Sequence, residues 1–223
     1  MSTACFIGGD WGTSRLRLFL CARDGTVLDR NDGPGIAEAG DACARILAAR
    51  IAPWDAVHGK LPAILSGMVG STIGWREAAY VACPTPVNGI AGAALRFDSE
   101  GRAIAIIPGL SCRNASGVPD VMRGEETQIA GALRLSPGLT RDRQLLCLPG
   151  THTKWALLEA GTVVRFQSAL SGELFDLLSR HSVLARGSEA ASIGGGAFGL
   201  GVQRAGAQIP AGLLHLLFST RSR

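Results

Sequence analysis

Two stretches of this chain carry residue types that could grip a polyphosphate, and both follow one plan. Residues 6–28 read FIGGDWGTSRLRLFLCARDGTVL, and residues 145–164 read LLCLPGTHTKWALLEAGTVV. Each is an apolar run, a Gly-Thr turn with a further hydroxyl residue and a cation, a second apolar run, and a second Gly-Thr turn. Gly12-Thr13 corresponds to Gly150-Thr151, and Gly25-Thr26 to Gly161-Thr162. In the first copy Asp10 stands just ahead of the glycine. A carboxylate there can hold a hydrated Mg2+ or orient phosphate-bound water. Gly12 lets the backbone approach phosphate oxygens, Thr13 and Ser14 add hydroxyl donors, and Arg15 and Arg17 add positive charge. In the second copy no Asp precedes Gly150. Thr151 and Thr153 take the hydroxyl positions, and Lys154 could neutralise charge that develops during transfer or form a surface pair. His152 admits a metal or general-base role, but a loop histidine packed near the nucleotide is the simpler reading. One such turn alone is an ordinary hairpin with a capping Asp. Its duplication points to a nucleotide-using enzyme of two related halves, whose hairpin tips are expected to face each other and hold a triphosphate.

Between the copies lies Met122-Arg123-Gly124-Glu125-Glu126-Thr127-Gln128. Two carboxylates at a helix start favour the macrodipole. With Arg123 and Gly124 ahead of them, one could also take the proton of an attacking hydroxyl. Neighbours on a helix point about 100° apart, so only one can do so. Spacing leaves the choice open, with Glu125 slightly favoured and Asp120 next in line. The loop Ser66-Gly67-Met68-Val69-Gly70-Ser71, with Trp75 behind it, is either a wall of the substrate pocket or a plain strand-to-helix connection. Gly194-Gly195-Gly196 lacks the Lys-Ser/Thr that follows a P-loop, so a connector is expected there.

The elements that must position these residues follow from periodicity. Leu16, Leu18 and Leu20 alternate with Arg15, Arg17 and Phe19, which predicts strands over 3–9 and 15–22. Asp24-Gly25 turns the chain into a third strand near 26–30. A helix is expected over 38–50, punctuated by Pro53 and Pro62. Short buried strands are expected over 61–65 and 103–107, both ending in glycine-bearing loops where α/β sheets collect ligands. A polar loop over 111–122 precedes a helix over about 124–135. Ser136-Pro137-Gly138 marks a boundary between residues 1–137, with the first hairpin and substrate pocket, and 138–223, with the second hairpin. A helix over 171–181, a Gly-rich stretch over 194–201, and a helix or strand over 212–218 complete the pattern.

Bulk composition narrows the class. The chain has 223 residues, 47% hydrophobic and 18% charged, which supports a real core and fits close-packed α/β layers. The net charge of +4 is scattered, with no Lys/Arg block and no aromatic interleaving, so no nucleic-acid partner is expected. A mild positive excess suits an anionic substrate. Six cysteines without a CxxC pair or zinc-ligand spacing suggest thiols in a reducing compartment. No signal peptide or bilayer-length apolar run is visible, so the expectation is a soluble, cytoplasmic protein without a membrane partner.

The segments DWGTSRLR, SGMVGSTIGW, IIPGL, VMRGEETQ, LPGTHTKW and SGELFDLLSRHS, in that order, resemble the 2-dehydro-3-deoxygalactonokinase family. These are sugar-acid kinases of the actin/hexokinase/Hsp70 ATPase superfamily. The resemblance implies a two-lobed actin-like ATPase α/β fold, ribonuclease H-like in each lobe. It implies transfer of the γ-phosphoryl group of ATP to the 6-hydroxyl of 2-dehydro-3-deoxy-D-galactonate, in galactonate breakdown. It implies ATP and Mg2+ as cofactors, with Asp10 near the metal, Gly12, Thr13, Ser14, Arg15, Gly150, Thr151, Thr153 and Lys154 at the phosphates, and Glu125 or Glu126 as base. Met68, Gly70, Ser71 and Trp75 would line the sugar-acid pocket, with Arg123 able to grip its carboxylate bidentately. Chains that look like this one run on past residue 223. The second lobe and its adenine pocket are therefore expected to be incomplete, and bared apolar surface suggests a homodimer. A non-catalytic nucleotide-binding or interaction protein, a phosphohydrolase, and a kinase for another sugar acid remain the alternatives.

Overall fold

The first copy of the repeated motif folds as an antiparallel meander of β1 (Ala4–Trp11), β2 (Arg15–Ala22) and β3 (Val27–Pro34). This computed structural model describes residues 3–185, 196–207 and 212–219. Leu16, Leu18 and Leu20 point into the core while Arg15 and Arg17 face out, as a period of two requires. β4 (Ala63–Ser66) adds parallel to β1, and β8 (Arg102–Ile106) parallel to β4. β7 (Leu95–Ser99) closes the far edge antiparallel, giving the order β3-β2-β1-β4-β8-β7. This mixed α/β sheet is the ribonuclease H-like arrangement that the resemblance implies.

The expected helix over 38–50 is two helices. α1 (Ile36–Ala39) stops at Gly40, whose φ is +48°, and α2 (Cys43–His58) runs on through Pro53. Proline removes one helical hydrogen bond and normally ends a helix. Here the carbonyl it would have served belongs to exposed Ala49, while Leu47, Ile51 and Trp54 bury their faces on the sheet either side of the ring. Tertiary packing thus outweighs the local break. Trp54 also donates its indole N–H to Asp29 at 2.8 Å. Asp55 accepts two bonds from buried Arg102 at 2.5 and 2.6 Å, which ties α2 to β8.

Contacts divide the chain into two compact units, Met1–Leu148 with Lys154–Ala169, and Pro149–Thr153 with Leu170–Arg223. The first unit also contains β5 (Val81–Ala82), β6 (Thr85–Pro86), α3 (Val87–Gly92), β9 (Leu110–Arg113) and β10 (Pro119–Met122). It further holds α4 (Glu125–Leu135) and β11 (Arg143–Leu148), and most of β12 (His152–Glu159) and β13 (Thr162–Leu170). These strands form two sheets, β10-β9-β5 and β11-β12-β13-β6. The stretch expected as a polar loop, 111–122, is instead the hairpin β9–β10. Asn114 closes it by accepting the N–H groups of Ser116 and Val118, and Gly117 turns at φ +77°. Its polar surface residues hid the buried Leu110 and Met122, which join Ile129, Ala156, Leu158, Val163 and Phe166 in a second core cluster.

The second unit contains α5 (Gly172–His181), α6 (Gly196–Ala207) and α7 (Leu213–Ser219), so the apolar run there is a helix that begins at Leu213. Gly194 and Gly195 lie outside the described residues, and Gly196 begins α6. All six cysteines are free thiols. No helix among the described residues is long and apolar enough to cross a membrane.

Candidate active site

Asp10 lies near the C-terminal end of β1, in register with Ser66 at the end of β4. The chain then passes through Gly67 at φ +90°, a conformation that disfavours any side chain. A Cβ there would stand 2.8 Å from the Trp11 carbonyl oxygen and 3.4 Å from Asp10 Oδ1. A Cβ on Gly124 would stand 3.6 Å from Gly67 Cα. These close approaches gather the end of β1, the loop after β4 and the start of α4 into one corner of the first unit.

Both carboxylates of α4 turn back onto its N-terminus, where unpaired N–H groups and the helix dipole favour anions. Glu125 Oε2 accepts the Arg123 N–H at 3.1 Å, and Glu126 Oε2 accepts the Gly124 N–H at 2.6 Å. Glu126 Oε1 also accepts the Thr127 hydroxyl at 3.2 Å. Their burial separates them. Glu126 is fully buried, and that burial, outweighing its hydrogen bonds and reinforced by the charge of Glu125, pushes its pKa up to about 7. Glu125 keeps 21% of its side chain exposed and stands 3.5 Å from the buried Lys154 ammonium. Of the two, only Glu125 keeps side-chain surface open. Lys154 comes from the second motif copy, on β12.

Around this corner the other candidates take different places. Arg17 donates to Asp10 at 2.6 Å, holding the carboxylate in a half-exposed cross-strand pair. Arg15 is engaged by Asp32 of β3 at 2.9 Å. Gly12 donates its N–H to the Arg15 carbonyl at 2.9 Å, closing the turn, while Thr13 and Ser14 are exposed. Arg123 donates from Nη2 to the Ala78 carbonyl at 2.8 Å and lies 4.4 Å over the Tyr80 ring. Its Nε and Nη1 are buried with no hydrogen-bond partner, and Nη1 abuts Gly70, where a Cβ would come within 2.7 Å. Met68 and Trp75 pack against the first core, with Trp75 edge-on to Phe97 at 5.2 Å. The Ser71 hydroxyl caps its own loop on the Met68 carbonyl at 2.7 Å. Asp120, next in line as base, accepts both the N–H and the hydroxyl of Ser168 at 2.7 Å.

In the second unit the tip of the other motif copy is tied to the start of α5. Thr153 Oγ1 lies 2.6 Å from Ser171 Oγ, His152 Nε2 lies 2.6 Å from Glu173 Oε2, and the Glu173 N–H donates to the Thr151 carbonyl at 3.0 Å. The sequence marks Ser171 and Glu173 only as part of the helix over 171–181, not as neighbours of the hairpin tip. A Ser-Gly-Glu helix start was the available signal, but its contact with a turn some twenty residues earlier is not.

The sequence profile of the family described as DGOK, 2-keto-3-deoxy-galactonokinase, matches residues 10–223. The chain belongs to this family. It is 39% identical over 228 residues to a protein of Rhizobium meliloti (strain 1021) named a probable 2-dehydro-3-deoxygalactonokinase, covering 100% of this chain and 72% of that relative. It is 35% identical over 221 residues to the 2-dehydro-3-deoxygalactonokinase of Escherichia coli (strain K12), covering 99% of this chain and 71% of the relative. A solved structure from Sinorhizobium meliloti, assigned as a 2-dehydro-3-deoxygalactonokinase, superimposes with a TM-score of 0.86 at 38% identity, over 97% of this chain and 71% of that one. The family match therefore spans Asp10, the α4 carboxylates and the second hairpin alike.

Proposed function

We propose that this protein is a 2-dehydro-3-deoxygalactonokinase, transferring the γ-phosphoryl group of ATP to the 6-hydroxyl of 2-dehydro-3-deoxy-D-galactonate. The observation that carries this reading is the accessible carboxylate of Glu125, held by Lys154 at the head of α4, in a chain of this kinase family. Glu125 accepts the proton of the attacking hydroxyl, a role worth roughly 10²–10⁴ in rate. Lys154 and the Arg123 N–H fix its orientation. Gly12, Thr13, Ser14 and Arg15 are the phosphate-binding residues of the first hairpin, and Gly150, Thr151, Thr153 and Lys154 are those of the second. Met68, Gly70, Ser71 and Trp75 shape the sugar-acid pocket. The two unpartnered donors of Arg123 suit the substrate carboxylate, which would reach them only if the loop around Gly70 shifted aside.

A Mg2+ ion suits Asp10. Its carboxylate is a hard oxygen donor, part-exposed at a strand end, and Mg2+ is commonly held by one or two carboxylates plus substrate phosphates. No group of three or more His, Cys, Asp or Glu ligands occurs among the described residues, so Asp10 would be the protein's contribution. Such an ion would neutralise phosphate charge, and Arg17 would keep the Asp10 carboxylate aimed. A cytoplasmic location and a homodimer belong to the same proposal.

The test is ADP release from Mg-ATP with the galactonate-derived acid and, separately, its gluconate epimer. Acceptor-dependent ADP is expected. Phosphate release independent of any acceptor, or no turnover with either acid, would overturn the reading.

A further inference from the structure

In both motif copies the hairpin tip is strapped to the first turn of a later helix, 24 residues on in the first copy and 22 in the second, and a glycine sits at the strap. In the first unit Ile36 and Ala37 donate their N–H groups to the carbonyls of Gly12 and Thr13, both at 3.0 Å. Gly35 lies so close beneath that a Cβ on it would come within 2.2 Å of the Thr13 carbonyl oxygen and 2.4 Å of the Arg15 nitrogen. In the second unit Glu173 donates to the Thr151 carbonyl, and a Cβ on Gly172 would come within 2.5 Å of the Gly150 carbonyl oxygen. The obstructing atoms are backbone, so neither site can yield by turning a side chain. Gly35 has φ −75° and ψ 177°, an ordinary extended conformation. Space, and not backbone freedom, is what demands glycine there.

We infer that Gly35 and Gly172 are positioning residues that aim the backbone N–H groups of the two tips at phosphate. The inference rests on the kinase reading above. In a planar trans peptide the C=O and the following N–H point in opposite directions. Binding the Gly12 and Thr13 carbonyls to α1 therefore turns the N–H groups of Thr13 and Ser14 outward together. Successive N–H groups pointing the same way form an anion-binding concavity. Holding the Gly150 carbonyl against Gly172 turns the Thr151 N–H away from α5 by the same geometry. The straps thus set the direction of the donors before any ligand arrives, which lowers the ordering cost of binding.

Gly35→Ala and Gly172→Ala test this beside a control, Gly131→Ala, whose Cβ would meet nothing within 4 Å on α4. Ala37→Pro gives an independent probe, because it deletes one strap donor in the first helical turn, where proline is tolerated. Each protein is checked for folding by circular dichroism, then for Mg-ATP affinity and for the separate KM values of ATP and the sugar acid. The expected result is at least a tenfold rise in the ATP Kd and KM for the strap variants, with the sugar-acid KM within twofold and Gly131→Ala like the parent. Folded strap variants with ATP affinity within twofold of the parent would overturn the inference. If the glycine variants do not fold, Ala37→Pro decides by the same criterion. A parent protein that binds no ATP would instead sink the kinase reading, and this inference with it.

Discussion

Glu125 and Glu126 are adjacent in sequence and opposite in circumstance. One keeps a face to solvent beside a lysine; the other is sealed in. If Glu125 is the base as proposed, Glu125→Gln is expected to lower kcat by about a hundredfold or more with little change in KM, because it would remove a proton acceptor used in the transition state. Glu126→Gln is expected to cost less than tenfold, and steady-state kinetics on both variants checks the contrast. Glu126 also predicts a pH effect on stability. Its folded pKa, about 7, is raised above the ordinary 4.5, so the folded state binds the proton more tightly than the unfolded state. Stability from this group is fully present below about pH 4.5 and is lost as pH rises through about 7. The linked change is on the order of 3 kcal/mol. Urea melts of the parent and Glu126→Gln between pH 5 and 8 should show a shallower decline in the variant, since Gln can still accept the Gly124 N–H without ionising.

At the level of elements, the framework beneath the site depends on a few cross-links between strands and helices. The Arg102–Asp55 pair joins β8 to α2 with the arginine side chain 7% exposed, and Arg102 also donates to the Leu61 carbonyl. Asp55→Ala would strand a buried guanidinium. A loss of up to roughly 3 kcal/mol in unfolding free energy is expected, with kcat and KM unchanged below the transition. Chemical denaturation checks it. By contrast the Asp10–Arg17 and Arg15–Asp32 pairs link β1, β2 and β3 in half-exposed positions. Such pairs contribute about 0–1 kcal/mol, so substitutions there should report on ligand binding before stability.

At the scale of the whole molecule, ligand binding is linked to folding. A ligand that binds only the folded chain stabilises it by an amount set by its concentration relative to Kd, about 2.7 kcal/mol at 100 Kd. Mg-ATP should therefore raise Tm by several degrees, while EDTA or Asp10→Asn should reduce the rise sharply. A thermal melt with ATP at fixed concentration reads both effects. An unchanged Tm for the parent at millimolar Mg-ATP would count against nucleotide binding by this chain.

The sequence by itself determined much of this protein. Period-two alternation drew β1 and β2, glycine turns drew both hairpins, and two acidic residues after Arg-Gly marked the head of α4. These features are local, written within a few residues by side-chain direction and turn chemistry. Its resemblance to a kinase family was equally legible, because the segments that carry it are contiguous. Only the tertiary structure decided which α4 carboxylate stays open, that α2 survives Pro53, and that residues 110–122 pair as strands. It also decided that Gly35 and Gly172 press against the hairpin tips. Burial and partner choice depend on residues far apart in the chain, such as Glu125 with Lys154 and Thr13 with Ala37. No local pattern encodes them, since each arises only when separate elements pack and exclude water from what lies between.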